Sequence, residues 1–178
     1  MQRCSHALVH EGRVWLVDPV ESEGVDERVR ALGEPAGVIQ LLDRHGRDCA
    51  AYAHWLGVPH HVVPESLPGT PFELVRVASK PGWREVALWW PEPRVLVCAD
   101  ALGTTGFFRA RGERAGVHPL LRVRPPRRLG RLDPEHLLVG HGEGVHQDAS
   151  EALSTALRGA RKRFFSLVFA LWDRRRSL

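Results

Sequence analysis

Apolar and polar positions alternate through "ALVHEGRVWLVDP", which predicts two strands near residues 6–10 and 13–18 joined by a tight turn at Glu11–Gly12. Asp18–Pro19 ends the second strand. The spacing changes in "GVDERVRALG", an amphipathic helical segment that stops at Gly33. "AGVIQLL" is apolar almost throughout, as in a strand buried on both faces. A helix over 47–56 follows, closes at Gly57 and leads to the short strand "HHVV". After the turn-rich "PESLPGTP" come three strands, "ELVRVAS", "EVALWWP" and "RVLVCAD". Residues 103–135 are rich in Gly, Pro and Arg and read as a long irregular or functional connection. "HLLVGHGEG" predicts a last strand ending in a glycine-flanked histidine, and a helix capped by Asp148 or Ser150 runs from there into the tail. Strands, then strand–helix–strand, then more strands and a helix predict packed sheets with helices outside.

At 178 residues the chain can bury a real core, and we read 1–178 as one domain with a basic, apolar C-terminal helix from about 148 to 178. The net charge of +4 comes almost entirely from arginines mixed with acids, so charge alone identifies no anionic partner. Cys4, Cys49 and Cys98 are odd in number and form no CxxC; they read as free thiols of a reducing compartment. "MQRCSHALVHEG" has no apolar leader core. No run approaches the roughly 18–20 apolar residues that span a bilayer. The expectation is a cytoplasmic protein.

Four polar clusters fall at strand ends, where α/β proteins place their chemistry. They are Asp43, His45, Arg47 and Asp48, the "KPGW" turn at 80–83, Asp100 in "VLVCADALGT", and His141 in "LLVGHGEG". With "WLVDP" near the start, their order and rough spacing over nearly the whole chain resemble the metallo-β-lactamase superfamily. The resemblance implies an α/β fold, a four-layer αββα sandwich. It also implies a metal site at one sheet edge, built on a T-H-x-H-x-D-H turn, two further histidines and a bridging aspartate.

Laid on that turn, His45 matches the second histidine, Asp100 the bridging aspartate and His141 the final histidine. Asp43 and Asp48 stand where the first and third histidines would be, and both can ligate. Arg47 takes the place of the aspartate, and Trp83 that of the histidine after "PG". Two adjacent ions need about seven protein donors. The five donors left here, with a guanidinium among them, argue against a dinuclear site. The resemblance leaves one zinc, iron or manganese ion on some of His45, Asp48, Asp100 and His141, or no ion at all. In the metal-free case Arg47 would pair with Asp48 or Asp100.

Two functions remain open. One is a hydrolase of an ester, thioester or phosphoester, in which Asp100 ligates or orients and Asp48 ligates or acts as general base. The other is a metal-free binding or assembly module presenting Arg47, Trp83 and the arginine loop to a small-molecule or anionic ligand. His54, mid-helix, reads as a surface residue, and Cys49 as a small core residue. His60 and His61 point to opposite faces of a strand. His6, His10, His118, His136 and His146 show no partner. "LRVRPPRRLGR" reads as a solvated loop, and without interleaved aromatics it argues against nucleic acid. The tail "RKRFFSLVFALWDRRRSL" is apolar on nearly every helical face between basic clusters. It predicts a homodimer contact, with attachment to an anionic membrane surface as the alternative.

Overall fold

The computed structural model describes the backbone of residues 2–176 and the side chains through Phe164. β1 (His6–His10) and β2 (Arg13–Val17) form a hairpin whose turn residues Glu11 and Gly12 both have positive φ, the geometry that matches strand twist. After α1 (Val25–Leu32), β3 (Glu34–Gln40) pairs parallel to β2. α2 (Cys49–Leu56) then returns the chain to β4 (His60–Val62), parallel to β3. The first sheet therefore has the order β1-β2-β3-β4.

The second sheet begins with the antiparallel pair β5 (Glu73–Lys80) and β6 (Trp83–Trp90), followed by β7 (Val95–Cys98). β10 (His136–Val139) joins β7 in parallel, giving the order β10-β7-β6-β5. Between them lies a small ladder of β8 (Leu102–Gly103) and β9 (Gly116–Val117), with two 3₁₀ turns at Pro119–Leu121 and Arg127–Arg131. α3 (Ala149–Arg176) closes the chain; its first bond, from the Ala152 amide to the Asp148 carbonyl, starts at the predicted cap.

β2 shows why these layers form. Val14 and Leu16 face α1 and α2 with Val38, Val29, Tyr52 and Ala53, whereas Trp15 and Val17 face the opposite sheet. The other side of the second sheet is covered by Ala149, Ala152, Leu153, Ala156 and Ala160 of α3, whose small side chains allow close packing. Helices, sheet, sheet and helix form the αββα sandwich. The predicted "AGVIQLL" strand does more than pair. Beyond Gln40, the Leu41 carbonyl accepts from Val86 and the Asp43 amide donates to Arg84, so the chain crosses to the second sheet. That crossing brings the end of β3 beside the ends of β7 and β10.

The solvated-loop reading of 121–131 holds for Arg124, Arg127, Arg128 and Arg131, which are exposed, and fails at its inner side: Arg122 is fully buried, and Leu121 and Leu129 are in the core. Its guanidinium donates to the Val117 and Phe108 carbonyls and to Glu113 at 2.7 Å, and Arg163 of α3 pairs with the same carboxylate, also at 2.7 Å. The connection is held from within by a buried ion cluster. No described helix is long and apolar enough to cross a membrane.

Candidate metal centre

Three strand ends deliver three donors. His45 follows β3, Asp100 follows β7 and His141 follows β10. His45 Nε2 lies 3.0 Å from Asp100 Oδ1, and His141 Nε2 lies 3.2 Å from the same oxygen. One atom from each of the three lies within 4.8 Å of the others, with the side chains only 11–15% exposed. These are the three residues that matched the family pattern outright.

Each donor is held from behind. His45 Nδ1 lies 3.1 Å from Asp18 Oδ2, while Asp18 Oδ1 accepts from the Leu41 amide. His141 Nδ1 lies 2.9 Å from the Gln2 carbonyl, and Phe108 stacks on the ring. Asp100 is fixed through its backbone: Glu85, fully buried in β6, accepts from the amides of Asp100 and Ala101 and from the Trp83 indole. Burial lifts the Glu85 carboxyl to about 7 against those three hydrogen bonds.

No family model matches the chain, and no curated protein matches it in sequence. Solved structures do. The DIM-1 metallo-β-lactamase aligns over 90% of this chain and 86% of its own, with a TM-score of 0.61 at 12% identity. The BLEG-1 B3 metallo-β-lactamase aligns over 83% and 90%, with 0.57 at 14%. The apo chemotaxis sensor ODP from T. denticola aligns over 86% and 84%, with 0.56 at 15%. The chain has the metallo-β-lactamase fold.

Within the metallo-β-lactamase fold, the remaining predicted residues do not join the triad. Asp48 was expected to converge with it, but Asp48 Oδ2 accepts from the Glu21 amide, and the residue lines a separate 260 Å³ cleft with Tyr52 and Trp55. Asp43 Oδ2 accepts from the Arg84 amide. Arg47 forks onto neither Asp48 nor Asp100. It donates to the carbonyls of Cys4, Asp18 and Gly140, tying the first residues to the ends of β2 and β10. The arginine that meets Asp100 is Arg44, whose Nη2 is 3.6 Å from Asp100 Oδ2 and whose guanidinium lies 4.3 Å over the Trp83 ring. Cys49 is buried and its thiol is pushed up to about 12, as suits a core residue.

Several histidines without a predicted partner have one. His118 packs its edge on Trp83 at 4.7 Å, and burial holds it down at about 4 against the pull of Asp100. His6 bonds the Val139 carbonyl, and His136 meets His146. Asp18 carried a sequence signal, since it ends the "WLVDP" strand. Glu85 carried a weaker one, a lone acid in an apolar strand. The Gln2 carbonyl carried none, because every residue has one.

The donor set suits a cation. Both Nδ1 atoms face oxygens that accept, which assigns a proton to each Nδ1 and leaves each Nε2, facing Asp100, free to take either a proton or a metal ion. Asp100 Oδ1 is itself buried, and its polar neighbours are the two imidazoles. Three lone pairs aimed together repel unless a proton or a metal ion lies among them. Spacings of this size between donors are what metal bonds of about 2.0–2.2 Å span. Without an ion the site takes protons. Burial alone would depress His45, but the carboxylates of Asp100 and Asp18 outweigh it and lift the imidazole to about 9. Burial would raise Asp100, yet the two histidines hold it well below the ordinary carboxylate range.

Proposed function

We propose that the chain is a hydrolase with a single metal ion on His45, Asp100 and His141, acting on an ester, thioester or phosphoester. One observation carries this reading. Two imidazoles, each held by an oxygen at Nδ1, direct both Nε2 atoms at one buried oxygen of Asp100, at 3.0 and 3.2 Å. Mixed histidine and carboxylate sets suit zinc, iron or manganese. An ion bound there would supply Lewis acidity toward a carbonyl or phosphoryl oxygen and a more acidic water. The chain supplies the rest. Asp18 and the Gln2 carbonyl fix the imidazole tautomers, Glu85 fixes the Asp100 peptide, and His118 stays neutral beside Trp83. The fold alone does not choose the chemistry, because its neighbours include β-lactamases and a chemotaxis sensor.

The test is a titration of chelator-treated full chain with zinc, iron(II) and manganese(II). One ion per chain is expected, lost in His141→Ala, with hydrolysis of a reporter ester, thioester or phosphoester only when the ion is present. A chain that takes up no ion at neutral pH rejects the reading. In that event the second reading stands, a metal-free binding or assembly module on the same fold. Arg44 and Lys80 set against Trp83 favour it, since they offer positive charge without a metal. Three free cysteines, two of them buried, support a reducing cytoplasmic setting for either reading. The composition of the tail supports a homodimer.

A further inference from the structure

We propose that Arg44 takes the place of a second cation at this site and binds a phosphoryl group of the substrate. Asp100 is the residue that matches a bridging carboxylate, and its two oxygens do different work. Oδ1 meets His45 and His141, whereas Oδ2 faces Arg44 at 3.6 Å. Trp83 stands where the family pattern has another histidine, and its ring is the platform on which Arg44 lies. A ligand to a second ion is thus replaced by a shelf for a fixed positive charge.

Beyond this ion pair and the indole, the guanidinium keeps its hydrogen-bond donors open. Arg47 gives its donors to three backbone carbonyls, and Arg122 is consumed by Glu113 and two carbonyls. Among the described residues no hydrogen bond closes on Arg44, and its side chain is 46% exposed. A planar fork with free donors, stacked on an indole, matches the paired oxygens of a phosphate or carboxylate. The ammonium of Lys80, 5.5 Å from the same ring, adds a second positive charge. Two cations in addition to a metal favour a dianionic phosphate monoester over a monoanionic carboxylate. The assignment rests on the proposed metal site for its catalytic meaning and on Arg44 alone for anion binding.

The experiment measures zinc and inorganic phosphate binding to the full chain by calorimetry, with acetate as the carboxylate probe. Wild type should bind phosphate at least tenfold more tightly than acetate. Arg44→Ala should weaken phosphate at least tenfold while zinc binds as tightly as before or more tightly, because Asp100 Oδ2 loses a competing cation. Arg44→Lys, which keeps the charge without the fork, should fall between. A purely structural role would weaken zinc and phosphate together, and that result overturns the proposal. So does phosphate affinity in Arg44→Ala within twofold of wild type, or acetate binding equal to phosphate. If wild type takes up no zinc, the hydrolase reading fails separately, and the same phosphate titration of the metal-free chain still decides Arg44.

Discussion

Asp18 sits at φ 45°, in a region that Asn tolerates as well as Asp, so Asp18→Asn tests chemistry with little backbone penalty. Its oxygen can still serve the Leu41 amide, which leaves the NH₂ facing His45 Nδ1. That donor would force Nδ1 to accept and move the ring proton to Nε2, taking away the lone pair meant for an ion. Metal affinity should drop by about 10–100-fold with the melting temperature nearly kept. Nitrogen NMR of the imidazole should report the other tautomer; unchanged affinity and tautomer would dismiss Asp18 as the orienting group. At this scale the sequence was informative where chemistry is tied to position. Asp100 and His141 stand two residues past β7 and β10 and His45 in the turn that follows β3, and the alignment placed all three. It misassigned the arginines, because Arg44 and Arg47 are three residues apart and only the turn decides which one reaches Asp100. Asp48 was lost for the same reason: at the start of α2 its side chain reaches the Glu21 amide instead of turning toward the triad.

The strands were legible as elements because β2, β3, β6 and β7 carry apolar runs that a two-sheet core requires. The 103–135 connection was not, because its order comes from polar groups. An arginine beside a Pro-Pro looks solvated until Glu113, nine residues earlier, is found folded against it. Here Glu113→Gln should be costly. It leaves Arg122 fully buried without its carboxylate, and a loss of about 3–5 kcal/mol is expected in denaturant unfolding at neutral pH. The cluster also fixes a pH dependence. Burial would raise the Glu113 carboxyl, but Arg122, the Ala110 amide and Arg163 outweigh it and hold it below its ordinary value. The folded state then binds that proton less readily than the unfolded chain, so the stabilisation is complete above the ordinary carboxylate pKa of about 4.3 and disappears as pH falls below it. The gap between wild type and Glu113→Gln should narrow only in that acid range. A gap unchanged from neutral pH down to about 3 would mean that the carboxylate charge is not what holds the loop.

At the scale of the whole molecule, the fold was readable because the sandwich imposes an order of strands and turns along the chain. Assembly is another matter, since it depends on which apolar surface is left over. The homodimer expectation rests on Phe164, Phe165, Leu167, Phe169 and Trp172; Phe164 is half-buried, and the other four lie outside the described side chains. The structure nevertheless shows where to cut. Arg161 donates to the Val123 carbonyl and Arg163 pairs with Glu113, so both residues belong to the domain, and a truncation at 161 would damage the loop as well as the tail. Ending the chain after Phe164 spares them. Leu120 and Val123, on the loop that Arg161 holds, are 66% and 51% exposed and offer an apolar surface beside the start of the tail. Each large apolar side chain covered there would contribute about 1.5–3 kcal/mol, enough in combination to hold two copies together. The full chain should therefore run as a dimer by light scattering, and the chain ending at Phe164 as a folded monomer. If the full chain is monomeric and binds vesicles of anionic lipid only when residues 165–178 are present, the dimer is wrong and the tail is a membrane anchor.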